Sequence, residues 1–146
     1  MHVRLLTRVR LARMKQEQET SCLLCGDHEE TTKHLFFECV YAQKCLLEIQ
    51  QWLGVTMQKT SLQSIWGRLA RSAKGKIRRA FLWAVLAGVI YGIWKARTEA
   101  LWQERVAQPH MIIREVKEGC KYRILVIVNR KNKCKEKKWI EQIYKK

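Results

Sequence analysis

Four side chains that can bind a transition metal lie close together near the start of the sequence. They are Cys22, Cys25, His34 and Cys39, and they follow the pattern C-x2-C-x8-H-x4-C. Zinc in proteins takes four nitrogen and sulfur ligands in a tetrahedron, and a site with four protein ligands is structural because no position is left for water. Gly26, directly after the first pair, allows the backbone to fold back towards the two sulfurs. The pattern therefore predicts one structural Zn²⁺ site.

The remaining cysteines and one nearby histidine are not predicted to be ligands. Cys45 and Cys120 fall on apolar helix faces, whereas Cys134 lies among lysines and is expected to be an exposed thiol. His28 follows Cys25 too closely, so we expect it in a solvated loop. Six cysteines would also suit a disulfide framework in a secreted chain. The sequence begins without the apolar segment of a secretory signal, which favours a metal site in a reducing compartment.

Residues suited to catalysis are scarce. The chain contains a single aspartate, Asp27, and no F/Y-x-D-D segment of the kind that holds two metal ions in a polymerase. The sequence also lacks a glycine-rich phosphate-binding loop and a catalytic pair of carboxylates. A cysteine–histidine nucleophile is conceivable, but metal binding explains those residues better. The chain is therefore predicted not to be an enzyme on its own.

The net charge of +16 makes a polyanion the expected partner. Residues 22–54 hold two basic and five acidic side chains, whereas residues 111–146 hold twelve basic and four acidic ones. We therefore expect nucleic acid to bind outside the zinc segment, with an anionic membrane surface as the next alternative. The predicted contacts are Lys76, Arg78, Arg79, Arg130, Lys131, Lys133, Lys135, Lys137 and Lys138. Trp139 is a candidate for stacking on an unpaired base.

The apolar periodicity predicts a mainly α fold, in which a small zinc knuckle is followed by a helical bundle with one long central helix. Helices are predicted over residues 2–14, 40–53, 62–72 and 76–108. Gly54 is expected to end the second of these and Pro109 the fourth. His34 and Cys39 are expected on the first turns of the helix that continues to residue 53.

The C-terminal part also favours helices. Residues 110–128 show a helical stripe, although the β-branched run 124–128 would suit a strand. A basic, hydrophilic run covers residues 129–138, and the final residues suit one short amphipathic helix. These elements predict three segments: a zinc module with an N-terminal helix over 1–54, a basic region with the long apolar helix over 55–109, and a basic C-terminal helix and tail over 110–146.

The long helix contains an uncharged run over residues 80–94. A membrane-spanning helix needs roughly 20 apolar residues, so this run is short for that purpose. Gly88 and Gly92 are four residues apart, a spacing that allows close helix packing. We therefore expect a buried central helix, and membrane association is the minor alternative.

The segment CLLCGDHEETTKHLFFECVYAQKCLLEI resembles the zinc-binding domain at the C-terminal end of plant LINE-type (non-LTR) retrotransposon reverse transcriptases. The positions that agree are Cys22, Cys25, Gly26, Glu30, Thr31, His34, Leu35, Phe36 and Cys39, with Leu6, Thr7, Arg10 and Leu11 upstream. Downstream, IWKARTEALW at residues 93–102 resembles a helix with an I-W-K-x-R-N core, in which Thr98 replaces the usual asparagine. Val40 stands where the family often has proline, and Cys45 stands near its usual tryptophan.

The resemblance implies a detached tail of such an element, without its polymerase and endonuclease, that assists in handling template RNA or target DNA. One alternative is a protein-interaction or regulatory module, with Trp52, Trp66, Trp94 and Trp102 as candidate anchors. Another is a translated retroelement fragment without a selected function. The basic run 130–138 resembles a nuclear localisation signal, so we expect the nucleus. The basic N-terminus suggests the mitochondrion as the alternative.

Overall fold

The computed structural model describes residues 5–14, 19–54, 67, 71, 75–130 and 134–145. The described elements are α1 (Arg8–Arg13), a π-helical turn (His34–Glu38), α2 (Val40–Leu53), α3 (Lys76–Gln103), α4 (Pro109–Arg130) and α5 (Cys134–Tyr144). These residues contain no strand, and one isolated antiparallel bridge joins Ser21 to Glu29. The predicted fold class, a zinc knuckle followed by a helical bundle with one long helix, is confirmed.

Two of the predicted N-terminal helices can be compared with the structure. α2 begins and ends as predicted, and Gly54 adopts a left-handed backbone (φ 66°) at its C-terminus. Over the described residues the first helix begins at Arg8, later than predicted, because Thr7 before it has an extended backbone. The helix predicted over residues 62–72 lies outside the described residues except for Gly67 and Arg71.

The prediction that Pro109 ends the long helix was wrong. α3 ends at Gln103, and the next residue, Glu104, has a left-handed backbone (φ 53°). Pro109 instead begins α4. Proline is tolerated in the first turn of a helix because its missing N–H would have no partner there. The β-branched run 124–128 is helical and belongs to α4.

α3 is the longest of the described helices. Its buried apolar residues recur at intervals of three and four, and they are Phe81, Leu82, Val85, Leu86, Val89, Ile93, Ala96 and Ala100. α4 packs against α3, α2 and α5. A single cluster of buried apolar side chains extends from Leu35 in the zinc segment to Ile143 in α5. The zinc segment and the bundle therefore share one core.

α3 and α4 approach each other closely at the two predicted glycines. A Cβ atom at Gly92 would clash with the Ile112 side chain, and one at Gly88 would lie 3.3 Å from Val116. By length and composition α3 could also cross a membrane, and 39% of its most apolar window is buried inside the fold. Burial against α4 accounts for the apolar residues on that face of the helix.

Replacing Gly92 with alanine is expected to lower the free energy of unfolding by about 1–3 kcal/mol, because the added methyl group overpacks the contact with Ile112. Gly119→Ala is the matched control, since a Cβ atom at this helical glycine meets no atom within 4 Å. It should raise stability by up to about 1 kcal/mol, because alanine is the better helix former. Chemical denaturation measures both changes, and equal effects would contradict the close helix contact.

Candidate metal centre

The structure brings the four predicted ligands together. Their ligand atoms all lie within 4.8 Å of one another. Cys22 Sγ is 3.9 Å from Cys39 Sγ, and Cys25 Sγ is 3.3 Å from His34 Nε2. A zinc tetrahedron with Zn–S and Zn–N bonds of ordinary length has edges of roughly 3.5–3.8 Å, so these donors fit one Zn²⁺ ion. Three thiolates and one imidazole fill the coordination shell, and the site is therefore structural.

A backbone turn brings the first two cysteines to one side. The Gly26 N–H donates to the Cys22 carbonyl oxygen at 2.8 Å, and the Cys22 N–H donates to the His28 carbonyl oxygen at 2.7 Å. A third bond, from the Glu30 N–H to the Thr20 carbonyl oxygen, closes the turn at its base. Gly26 has a φ of 77°, a conformation that glycine adopts without steric cost. The turn predicted at this glycine is confirmed.

His34 and Cys39 do not lie on one continuous α-helix, so that prediction was wrong. His34 is the first residue of a π-helical turn and Cys39 follows its last, and the Cys39 N–H donates to the His34 carbonyl oxygen at 2.7 Å. In an α-helix, residues five apart point about 140° away from each other, too far to share one ion. The π-helical turn and the extended backbone of Cys39 (ψ 131°) bring the two side chains together. Such turns are frequent at functional sites.

A hydrogen bond joins two of the thiols, with Cys22 Sγ 3.9 Å from Cys39 Sγ. Donating this hydrogen bond to Cys39 Sγ raises the pKa of the Cys22 thiol, and burial raises it further. The same hydrogen bond lowers the pKa of Cys39, and the backbone N–H groups of Ala42 and Tyr41 at the start of α2 lower it further. Zinc binding requires these thiols to lose their protons, because thiolates are the metal-binding form.

Burial lowers the pKa of His34 and so favours the neutral imidazole that binds metals. His28 is exposed, as predicted, and its ring stacks on that of His34 with the centroids 5.3 Å apart. Cys25, Asp27 and His28 also form a small group of potential ligands on the exposed side of the site. The four-ligand set is complete without His28, which is therefore a neighbour of the metal centre.

Glu30 joins the metal centre to the rest of the fold. Its carboxylate is fully buried, and Oε1 accepts hydrogen bonds from the Arg8 N–H (2.9 Å) and from the Arg97 guanidinium (2.8 and 3.0 Å). Oε2 accepts a bond from the Leu23 N–H at 3.2 Å, between the first two zinc ligands. Arg97 lies on α3 and is only 3% exposed. One carboxylate thus connects α1, the zinc turn and α3.

Sequence reasoning missed the contact between Glu30 and Arg97. Both residues lie in segments that resemble the same family, since Glu30 precedes His34 and Arg97 belongs to residues 93–102. Both segments carry other charged residues, so charge alone did not single out this pair.

The other cysteines have the environments expected of core residues. Cys45 and Cys120 are buried, and burial raises the pKa of both thiols, that of Cys45 to about 12. Their predicted core positions are confirmed. The Cys134 side chain lies outside the described residues, so its predicted exposure stays a prediction.

The predicted nucleic-acid contacts lie apart from the zinc ligands in the chain. Lys76, Arg78 and Arg79 are at the start of α3, whereas Lys135, Lys137 and Lys138 are at the start of α5. These two regions meet where the Arg78 guanidinium lies 4.9 Å from the centre of the Trp139 ring. Trp139 is half-buried and packs edge-on against Phe81. Lys131, Lys133 and the side chain of Arg130 lie outside the described residues.

Residues 1–45 match the family model described as zinc-binding in reverse transcriptase. The match includes all four residues of the Cys3His cluster, and residues 1–45 are therefore a zinc-binding domain of this type. Residues 46–146 lie outside the match, and no catalytic reverse-transcriptase domain is detected. No curated protein and no solved structure matches the chain.

We expect the purified chain to bind one Zn²⁺, and Cys39→Ala to lose it because three ligands hold zinc far less tightly than four. Cys45→Ala is the control, since this buried thiol is six residues away on α2 and outside the cluster. Native mass spectrometry measures the metal content of each variant. Zinc binding should also release protons and weaken as the pH falls, because the thiols must be deprotonated. Equal zinc content in both variants would contradict the assignment.

Arg97→Met should lower the free energy of unfolding by about 3–5 kcal/mol, because it leaves the buried Glu30 carboxylate without its cation. Lys95→Met is the matched control on the same helix. Lys95 lies 3.3 Å from Glu115 and 3.9 Å from Glu99, but these ion pairs are exposed to solvent and contribute little. Denaturant titration distinguishes the two variants. A small effect of Arg97→Met would show that Glu30 does not depend on this contact.

Proposed function

We propose that the chain is a zinc-stabilised, non-catalytic module that binds nucleic acid, RNA or DNA. The observation that supports it best is the unpaired positive charge on the helical bundle. Among the described residues, the ion pairs involve Arg8, Lys33, Lys95 and Arg97 as cations. None of these lies on α4 or α5. The described basic side chains of those helices are therefore outside these ion pairs, and they can attract phosphates, although Lys117 and Lys121 also lie over the rings of Trp52 and Tyr144.

The basic surface extends beyond the residues predicted from sequence. α4 contributes Arg114, Lys121 and Arg123, which are exposed, and the half-buried Lys117. The zinc segment itself is acidic, with two basic and five acidic side chains over residues 22–54. The metal centre accordingly acts as a folding clamp, and phosphate contacts belong to the helices that follow. The basic run 130–138 supports the nucleus as the compartment in this proposal.

A chain of contacts links the zinc site to the basic helices. α2 begins directly after the ligand Cys39 and carries Trp52 near its other end. Trp52 Nε1 donates to the Ile143 carbonyl oxygen of α5 at 3.1 Å. The Lys117 ammonium of α4 lies 5.1 Å from the centre of the Trp52 ring. Loss of zinc should therefore disturb the bundle as well as the zinc turn.

A second candidate function, protein interaction, is favoured by exposed aromatic side chains. Of the four tryptophans predicted as anchors, Trp52 is buried, Trp94 is half-buried and Trp66 lies outside the described residues. Trp102 is 77% exposed, and Tyr91 on the same helix is 68% exposed. A partner captured by the chain after nuclease treatment, and lost in Trp102→Ala, would favour this function over the first.

Nucleic-acid binding should weaken as salt is raised, because bound phosphates release counterions. The double variant Lys76→Gln/Arg79→Gln should reduce the slope of log K against log[salt] by roughly 1.5, since each contact contributes about 0.7–0.9. Lys44→Gln/Arg105→Gln removes the same charge from exposed positions outside α3, α4 and α5 and is the control. Fluorescence anisotropy with labelled oligonucleotides measures the slopes. Affinity that is independent of salt would contradict the proposal.

A further inference from the structure

We propose that the groove between α4 and α5 is a binding site for a single strand of nucleic acid. This inference rests on the proposed function and assigns it to one surface. Three residues, 131–133, separate the two helices, and the Tyr144 hydroxyl near the end of α5 donates to the Lys117 carbonyl oxygen of α4 at 2.7 Å. The helices therefore run antiparallel, and the groove between them has a volume of about 430 Å³.

The rim of the groove is cationic. Lys121 lines it from α4, and Lys137 and Lys145 line it from the α5 side. All three side chains are exposed, and none takes part in an ion pair with a described residue. Glu141 is the one carboxylate among the described residues of the lining, so these residues give the rim a net positive charge. Lys137 and Lys145 are eight residues apart, about 12 Å along the helix axis, which distributes the charge along the groove.

The floor of the groove is apolar. It is formed by the half-buried Leu125 and Tyr144 above the buried Ile140, and Asn129 adds an exposed amide at one end. A groove that combines cations for the phosphates with an apolar or aromatic surface for the bases is typical of single-strand binding. A duplex keeps its bases stacked inside and would contact the lysines alone. The floor is therefore the feature that favours a single strand.

Tyr144 is held in a fixed position in this floor. Its ring lies edge-on to Trp52 and Phe81, with centroid distances of 5.1 and 6.4 Å. The Lys121 ammonium lies 5.5 Å from the ring centre on the groove side. Because Trp52 belongs to α2, the floor is continuous with the helix that follows the zinc ligands. A preorganised surface of this kind loses little conformational entropy when a ligand binds.

The first test compares the zinc-loaded full chain with two charge variants. Lys137→Gln/Lys145→Gln should weaken binding of single-stranded RNA or DNA about tenfold and reduce the salt slope by roughly 1.4. Lys44→Gln/Arg105→Gln removes equal charge outside the groove and should change the affinity less than about twofold. Anisotropy titrations measure the affinity of each variant for single-stranded RNA, for single-stranded DNA and for a duplex of the same sequence. Tighter binding of either single strand than of the duplex supports the inference.

The second test addresses the floor with Leu125→Gln, whose folding is checked by circular dichroism. It should weaken single-strand binding about fivefold, leave the salt slope unchanged because no phosphate contact is lost, and leave duplex binding unchanged. A general loss of structure would instead weaken the binding of single-stranded RNA, single-stranded DNA and the duplex alike. If the chain binds oligonucleotides in a salt-dependent way, but Lys137→Gln/Lys145→Gln and Leu125→Gln change the affinity no more than the control does, the groove is not the binding site. The proposed function would then stand. If no oligonucleotide binds at low salt, both are overturned.

Discussion

Four donor atoms must meet around one ion, and the backbone on both sides of the site has the shape that this requirement imposes. Gly26 takes a left-handed conformation so that two sulfurs share one side of a turn. A π-helical turn separates His34 from Cys39 because an α-helix would point them apart. α2 can begin only after the last ligand. The binding energy of structural zinc, on the order of 10 kcal/mol, is comparable to the stability of a whole small domain.

The zinc domain is nevertheless not independent of the bundle. The family match covers residues 1–45, yet Glu30 within it has its cationic partner, Arg97, on α3. A buried carboxylate without that partner would be strongly destabilising. The apolar core likewise continues from the zinc segment through α2 into α4 and α5. Residues outside the match are therefore part of the structure that supports the metal centre.

Features set by local sequence could be predicted, and those set by distant contacts could not. The ligand spacing, the bounds of α2 and the packing role of Gly88 and Gly92 follow from short-range patterns. Pro109 was misinterpreted because proline can end a helix or begin one, and only the tertiary course of the chain decides. The Glu30–Arg97 pair joins residues 67 positions apart. The groove between α4 and α5 likewise depends on how two helices pack, which no single helical stripe reveals.

Charge and metal are divided between the two parts of the chain. The zinc segment, residues 22–54, is acidic and its metal site is closed to solvent ligands, whereas the helices that follow it are basic and include described lysines that take part in no ion pair. In the proposed function, this division would let the metal site support the binding of a polyanion without touching it. The most direct test of the central claim is X-ray absorption at the zinc edge of the purified chain. We expect three sulfur ligands near ~2.3 Å and one nitrogen near ~2.0 Å. A shell that contains water or carboxylate oxygen would contradict the account.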